Sequence, residues 1–375
     1  MPNILILGAG RVGSAIARDL AQYFHVLAVD REGSQLDTLR KINSAIKILK
    51  TDLVREDFKQ LLKPADLVIS AVPGYLGFQT LKKIIEAGKN VVDISFFPED
   101  PFALDDLARK YGTKAVVDCG VAPGMGNIIL GRYNRIIKID SYECLVGGLP
   151  EKREWPWQYK AVFSPIDVIE EYVRPARIVS GGKTIIREAL SDPEYIEFDE
   201  IGTLESFNTD GLRTLIRTMT IPDMIEKTLR YPGSIEYLQV LRAGGFFSSE
   251  PVEIDGIKIR PIDLTSKLLF PQWKLNVGEK DLTVMKITIR GRDNEGISRT
   301  IVYRLLDHYD EINKTLSMAR TTGYTACAVA HLMINGQVKQ TGILPPEKIG
   351  EDAKNFSFIL DYLKERNVAY QKSVY

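Results

Sequence analysis

Three glycines and one carboxylate carry the clearest chemistry in this chain. Ile4–Leu7 run straight into Gly8-Ala9-Gly10-Arg11-Val12-Gly13, and Asp30 closes the next apolar stretch, His25–Val29. Gly8 permits a tight turn out of a strand, Gly10 lets the backbone approach a pyrophosphate, and Gly13 lets the following helix pack closely on the strand. Arg11 and Val12 open that helix, whose free N–H groups and positive dipole end suit phosphates. The pattern predicts a bound dinucleotide. A carboxylate at position 30 accepts hydrogen bonds from the adenosine ribose hydroxyls and repels a 2′-phosphate, which favours NAD. Arg31 next to it can offset such a phosphate, so NADP stays open.

These residues need a parallel sheet to hold them. Short apolar runs at 45–49, 67–71, 91–94 and 115–117 alternate with helical stretches at 36–42, 58–62, 76–87 and 104–110. That alternation predicts a doubly wound sheet, with ligands at the carboxyl ends of its strands. Asp52 and Leu53 are then expected near adenine. Ala71, Val72 and Pro73 line the way to the nicotinamide, and Asp93, Asp118 and Gly120 end the later strands. Any one of these can instead be an ordinary strand-end turn residue. Beyond Gly124, alternating apolar and polar residues at 139–149, 160–163, 177–179, 185–187, 283–290 and 300–303 predict antiparallel strands. Helices are expected at 165–172, 221–228, 234–243 and 261–268, with a hairpin loop over 290–298. Two late helices, 316–333 and 356–365, are expected to return to the first domain. The fold class is α/β: a Rossmann domain over 1–123 plus about 310–375, and an α+β substrate and dimerisation domain over 124–309 with a mainly antiparallel sheet.

Asp118-Cys119-Gly120-Val121-Ala122-Pro123-Gly124-Met125, Phe207-Asn208-Thr209-Asp210-Gly211-Leu212 and Met318-Ala319-Arg320-Thr321-Thr322-Gly323-Tyr324 follow the fingerprint in order. Together they resemble the saccharopine dehydrogenase-like oxidoreductases, most closely those that deaminate the ε-amino group of lysine. The resemblance implies that NAD+ takes a hydride from the ε-carbon. Water then hydrolyses the imine to ammonia and 2-aminoadipate 6-semialdehyde, which cyclises. A carboxylate must attract the ammonium and take its proton, and either Asp118, the first choice, or Asp93 suits this. A planar cation must hold the α-carboxylate, and Arg320, with Thr321, competes with Arg213 for that role. Thr209 and Asp210 suit the α-amino group, although Asn208–Gly211 also reads as a plain β-turn. Cys119 reads as a small buried hydrophobe. A saccharopine substrate with NADP, or a non-catalytic NAD sensor, are the alternatives.

The remaining features narrow the partners. The 375 residues contain 49 Lys+Arg and 49 Asp+Glu, so no net field recruits nucleic acid or an anionic membrane. The fingerprint starts too early for a leader peptide, and no apolar run approaches the roughly 18–20 residues that span a bilayer. Three scattered cysteines and three histidines offer no metal-ligand spacing, so no metal is expected and a reducing cytoplasm fits. Trp155-Pro156-Trp157 reads as a partner contact, and a homodimer is expected.

Overall fold

The computed structural model describes residues 1–54 and 58–375. Two compact units divide the chain, Met1–Ile137 with Met318–Ala369, and Lys138–Ser317 with Tyr370–Tyr375. The first unit begins with β1 (Asn3–Leu7), α1 (Arg11–Leu20), β2 (His25–Asp30), α2 (Gly33–Ile42), β3 (Lys47–Lys50) and α3 (Phe58–Leu62). It continues with β4 (Leu67–Ser70), α4 (Gly74–Glu86), β5 (Val91–Asp93), α5 (Asp105–Lys110), β6 (Lys114–Val116) and α6 (Met125–Asn134).

The second unit then runs through β7 (Lys138–Pro150), α7 (Pro165–Val173), β8 (Ala176–Ser180), β9 (Lys183–Arg187), β10 (Glu194–Phe198), β11 (Gly202–Asn208) and α8 (Leu215–Thr218). After these come β12 (Asp223–Arg230), α9 (Ser234–Ala243), β13 (Val252–Ile254), β14 (Ile257–Ile259), α10 (Pro261–Trp273), β15 (Asp281–Arg292) and β16 (Ser298–His308). The chain closes with α11 (Ser317–Ile334), β17 (Gly342–Leu344), α12 (Pro346–Gly350), α13 (Ala353–Glu365) and β18 (Gln371–Val374).

In the first unit seven parallel strands stand in the order β17-β6-β5-β4-β1-β2-β3. β1 and β4 are continuous apolar runs because helices cover both faces. Strand order reverses between them, which opens the ligand crevice of a doubly wound sheet. Late helices complete this unit. Glycine at 323 lets α11 lie on α1, since a Cβ there would stand 3.1 Å from Ile16 Cγ1. Asp19 of α1 accepts from Arg366 Nε at 2.6 Å and from the Tyr362 hydroxyl, which fastens α13.

The unit limits differ from the expected 123 and 310, and the reason is local. Helix α6 stays with the first unit because Asn127 Nδ2 donates to Glu347 Oε2 at 3.0 Å. The last residues belong to the second unit because β18 pairs antiparallel with β16.

The second unit is built on a nine-stranded sheet with the path β10-β11-β12-β7-β15-β16-β18. Among the described strands of this sheet, β12 and β7 pair in parallel and the other pairs are antiparallel. The segment expected as a helix at 221–228 is strand β12. Its apolar residues Ile221, Met224, Ile225 and Leu229 have helical spacing, but pairing with both β7 and β11 outweighs that preference. The strand expected at 160–163 is a single bridge from Ala161 to Lys274. Tyr172, Phe207 and Trp273 centre an aromatic core in this unit. Among the described residues, no helix is long and apolar enough to cross a membrane.

Candidate active site

The glycine turn separates two kinds of glycine. Gly8 has φ +96°, and a Cβ there would overlap the Ala71 carbonyl oxygen. At Gly13 it would overlap the carbonyl oxygen of Gly8. Both are required by the protein's own packing. Gly10 is different, because the nearest atom to a Cβ there is Gln35 Oε1, 3.9 Å away. Its bare backbone therefore borders open space at the start of α1, where Arg11 and Val12 are half-buried and the helix has no side-chain cap. This cradle fits a pyrophosphate.

Asp30 ends β2 half-buried. Its Oδ2 accepts from Ala9 N at 2.6 Å and its Oδ1 from Glu32 N at 2.8 Å, so the carboxylate ties the strand end to the glycine turn. Arg31 is exposed beside Glu32, 3.5 Å away. Asp52 is exposed and accepts from Val54 N at 3.0 Å, while Leu53 packs on the hydrophobic core. Ala71 N donates to Leu7 O at 2.8 Å, Val72 is buried, and Pro73 precedes α4.

Asp93 ends β5 with 0% exposure. Ser95 Oγ donates to its Oδ1 at 2.9 Å and Ser95 N to its Oδ2 at 3.2 Å. Burial, and to a lesser degree the Asp118 charge, push its pKa up to about 7, against the serine hydrogen bonds that pull it down. Asp118 follows β6, buried, with φ 53°. Left-handed backbone at a non-glycine residue costs free energy and gathers at functional sites. Burial, then the Asp93 and Asp118 charges, push the Cys119 thiol far up, so it stays neutral. The Gly120–Gly124 turn is closed by Gly120 N donating to Pro123 O at 3.0 Å, and by Asn127 Oδ1 accepting from Gly124 N at 3.2 Å.

The Arg320-Thr321 segment has a structural explanation. Arg320, on α11, is 5% exposed, and its Nη2 donates to the carbonyl of Arg366 at 2.7 Å. Thr321 is buried, and its hydroxyl donates to Met318 O at 3.4 Å. The cation expected to hold a substrate carboxylate thus fastens α11 to the end of α13.

In the second unit, β11 delivers a buried polar segment. Asn208 Nδ2 donates to Asp192 Oδ2 at 2.7 Å, and Thr209 shares a hydrogen bond with Thr228 at 3.1 Å. Asp210 accepts both Arg177 Nε at 2.7 Å and Nη2 at 2.8 Å, a bidentate pair that commits it to Arg177. A Cβ on Gly211 would meet the Glu226 carboxylate. Arg213 is buried with φ 44°.

Ser70 and Ser95, which set the environment of Asp93, escaped the sequence reading, as did Arg230. That arginine is 1% exposed, lies 4.3 Å over the Tyr159 ring and pairs with Glu171 at 2.6 Å. Its signal is a charge at a strand end, just before Tyr231-Pro232-Gly233. Trp155 is exposed, whereas Trp157 is half-buried and donates to Gln272 Oε1 at 2.8 Å.

Comparison with known proteins places these features in context. A family model described as the saccharopine dehydrogenase NADP binding domain matches residues 4–116. A second, described as the saccharopine dehydrogenase C-terminal domain, matches residues 120–368. Carboxyaminopropylagmatine dehydrogenase of Synechocystis sp. is 23% identical over 380 positions, covering 94% of each chain. The saccharopine dehydrogenase (NADP(+), L-glutamate-forming) of Schizosaccharomyces pombe is 22% identical over 458 positions, covering 100% of this chain and 99% of that one. The chain spans 45% of the mouse mitochondrial alpha-aminoadipic semialdehyde synthase, which matches 92% of it. The apo saccharopine dehydrogenase (L-Glu forming) from Saccharomyces cerevisiae shares the fold, with a TM-score of 0.80 and 19% identity over 100% of both chains.

Proposed function

Because the chain belongs to the saccharopine dehydrogenase family, we propose that it is a pyridine-nucleotide-dependent oxidoreductase that oxidatively deaminates the ε-carbon of L-lysine. The observation that carries this reading is the buried carboxylate pair at the strand ends. Asp93 holds its proton up to about pH 7 and lies beside Asp118. A carboxylate that titrates near neutrality is matched to proton transfer there.

The bound nicotinamide supplies the hydride acceptor. The glycine turn cradles its pyrophosphate at Gly10, and Asp30 receives the adenosine ribose. The Asp93–Asp118 pair attracts the substrate ammonium and takes its proton, leaving a neutral amine whose carbon can release a hydride. Ser95, fixed by its bonds to Asp93, holds that carboxylate in position. Water then adds to the resulting iminium ion, whose collapse gives ammonium and 2-aminoadipate 6-semialdehyde, and the proton held by the carboxylates passes to solvent. Within the second unit, Asp210 is committed to Arg177.

A saccharopine substrate with NADP is the second reading, favoured by the domain description and by the full-length relative from Schizosaccharomyces pombe. That alignment runs to 458 positions against 375 residues here, so the relative carries insertions that this chain lacks.

The test is reduced-nucleotide formation at alkaline pH with NAD+ or NADP+ against L-lysine, saccharopine and a panel of amino acids, with ammonia measured in parallel. Turnover of lysine with equimolar ammonia is the expected result. Turnover of saccharopine alone would replace the substrate. Silence across the panel, from protein that still binds nucleotide, would make the chain a non-catalytic binder.

A further inference from the structure

Among the described strands, β13 and β14 pair only with each other. Their turn, Asp255-Gly256, has positive φ at both residues, which suits a tight two-residue hairpin. The register sets Val252 opposite Ile259, Glu253 opposite Lys258 and Ile254 opposite Ile257. Opposed residues share a face, so Val252, Ile254, Ile257 and Ile259 form an apolar face, and Glu253 and Lys258 lie on the other. A lone hairpin is marginally stable in water. This one stands on a fixed base, where Ile262 N donates to Ser248 O at 3.0 Å, yet Ile254 and Ile257 are each more than half exposed.

The helices on either side of the hairpin present a second uncovered apolar surface. Val240 of α9, Phe246, and Leu264 and Leu268 of α10 are each more than half exposed. Phe246 joins the two helices. Its carbonyl accepts from Thr265 Oγ1 at 2.7 Å, and a Cβ on Gly244 would stand 3.1 Å from its ring. Thr265, Leu269 and Trp273 hold α10 in the core, which leaves Leu264 and Leu268, one turn apart, uncovered. Eight side chains exposing on the order of 70 Å² each give an apolar area of about 500–600 Å² per chain. The apolar share of a standard subunit interface, about 65% of roughly 800 Å² per partner, is the same size. Charge matches as well, since the hairpin carries Glu250, Glu253 and Asp255 against Lys258, while exposed Lys267 stands between Leu264 and Leu268. We propose that two copies of this chain form a two-fold dimer by arm exchange. The apolar face of each β13–β14 hairpin sits on the α9–α10 surface of the other copy.

Analytical ultracentrifugation of the full chain over a concentration series tests this. The variants are Ile257→Lys on the hairpin, Leu268→Glu on the helices, and Ile312→Glu as a control at an exposed apolar residue outside both surfaces. Wild type and control are expected to be dimers. Each of the other two variants should raise the dimer Kd by about 100-fold or more, because a charge meets an apolar face. Their thermal melts should show folded protein. Mixing these two variants should restore a dimer. One of its hairpin–helix contacts is then wild type throughout, and the other sets lysine toward glutamate. Val252→Lys with Leu264→Glu is the second pair, should a melt show that either first variant fails to fold. A wild type that stays monomeric overturns the proposal, and so does a dimer that survives both substitutions. Folded monomeric variants that do not recombine overturn the exchange and leave hairpin against hairpin, or a different partner, as the occupant.

Discussion

Asp93 couples proposed chemistry to stability through one proton. Its folded pKa, about 7, lies above the ordinary value of 3.8. The native state thus binds a proton that the unfolded chain has already released between those values. Its stabilising effect is complete below about pH 3.8 and is lost as pH rises through about 7. Asp93→Asn, which mimics the protonated form, is therefore expected to melt a few degrees higher than wild type at pH 8, with the gap closing toward pH 4. Thermal melts at both pH values check this. The same substitution should cost roughly 100- to 10,000-fold in kcat and remove the limb of kcat/KM that rises through about pH 7. A pH–rate profile that keeps that limb in the variant would exclude Asp93 from the proton path. Ser95→Ala, which removes a bond to the charged form, should move the limb to higher pH while retaining most of the rate.

At the scale of elements, the glycine turn makes opposite predictions for residues three positions apart. Gly10→Ala meets open space, so it should keep the wild-type stability within the roughly 1 kcal/mol of a changed helix cap. Its nucleotide Kd should nevertheless rise by about tenfold or more. Gly13→Ala drives a methyl group into the Gly8 carbonyl and should lower Tm sharply. Paired melts and titrations on the two variants separate a packing glycine from a ligand-facing one. This part of the molecule was legible in the sequence because turn glycines, strand ends and first helices obey local rules. Strand β12 was not, because its helical spacing is local while its pairing with β7 and β11 is decided elsewhere in the chain. For the same reason, Arg320 has a packing bond that was not legible. Its motif suggests a ligand clamp, and only the packed structure reveals the Arg366 carbonyl that it serves.

Across the whole molecule, two compact units carry separate cores and should respond separately to ligand. Nucleotide at about 100 times its Kd stabilises the unit that binds it by about 2.7 kcal/mol. Calorimetry is expected to show that nucleotide raises the transition of the first unit, while Gly10→Ala cuts the rise to about half or less. An equal rise in Gly10→Ala would place the binding elsewhere.

The first unit also draws β17, α11 and α13 from Met318–Ala369, after the whole stretch Lys138–Ser317 has intervened. On the ribosome this reverses the usual N-terminal-first order of domain completion. The N-terminal part of the nucleotide unit emerges before the second unit, yet β6 waits for its neighbour β17, and Asp19 waits for Arg366, until the whole stretch 138–317 has been made. A pause in translation anywhere within 138–317 therefore leaves a half-built sheet with an open edge strand, the form most in need of a chaperone.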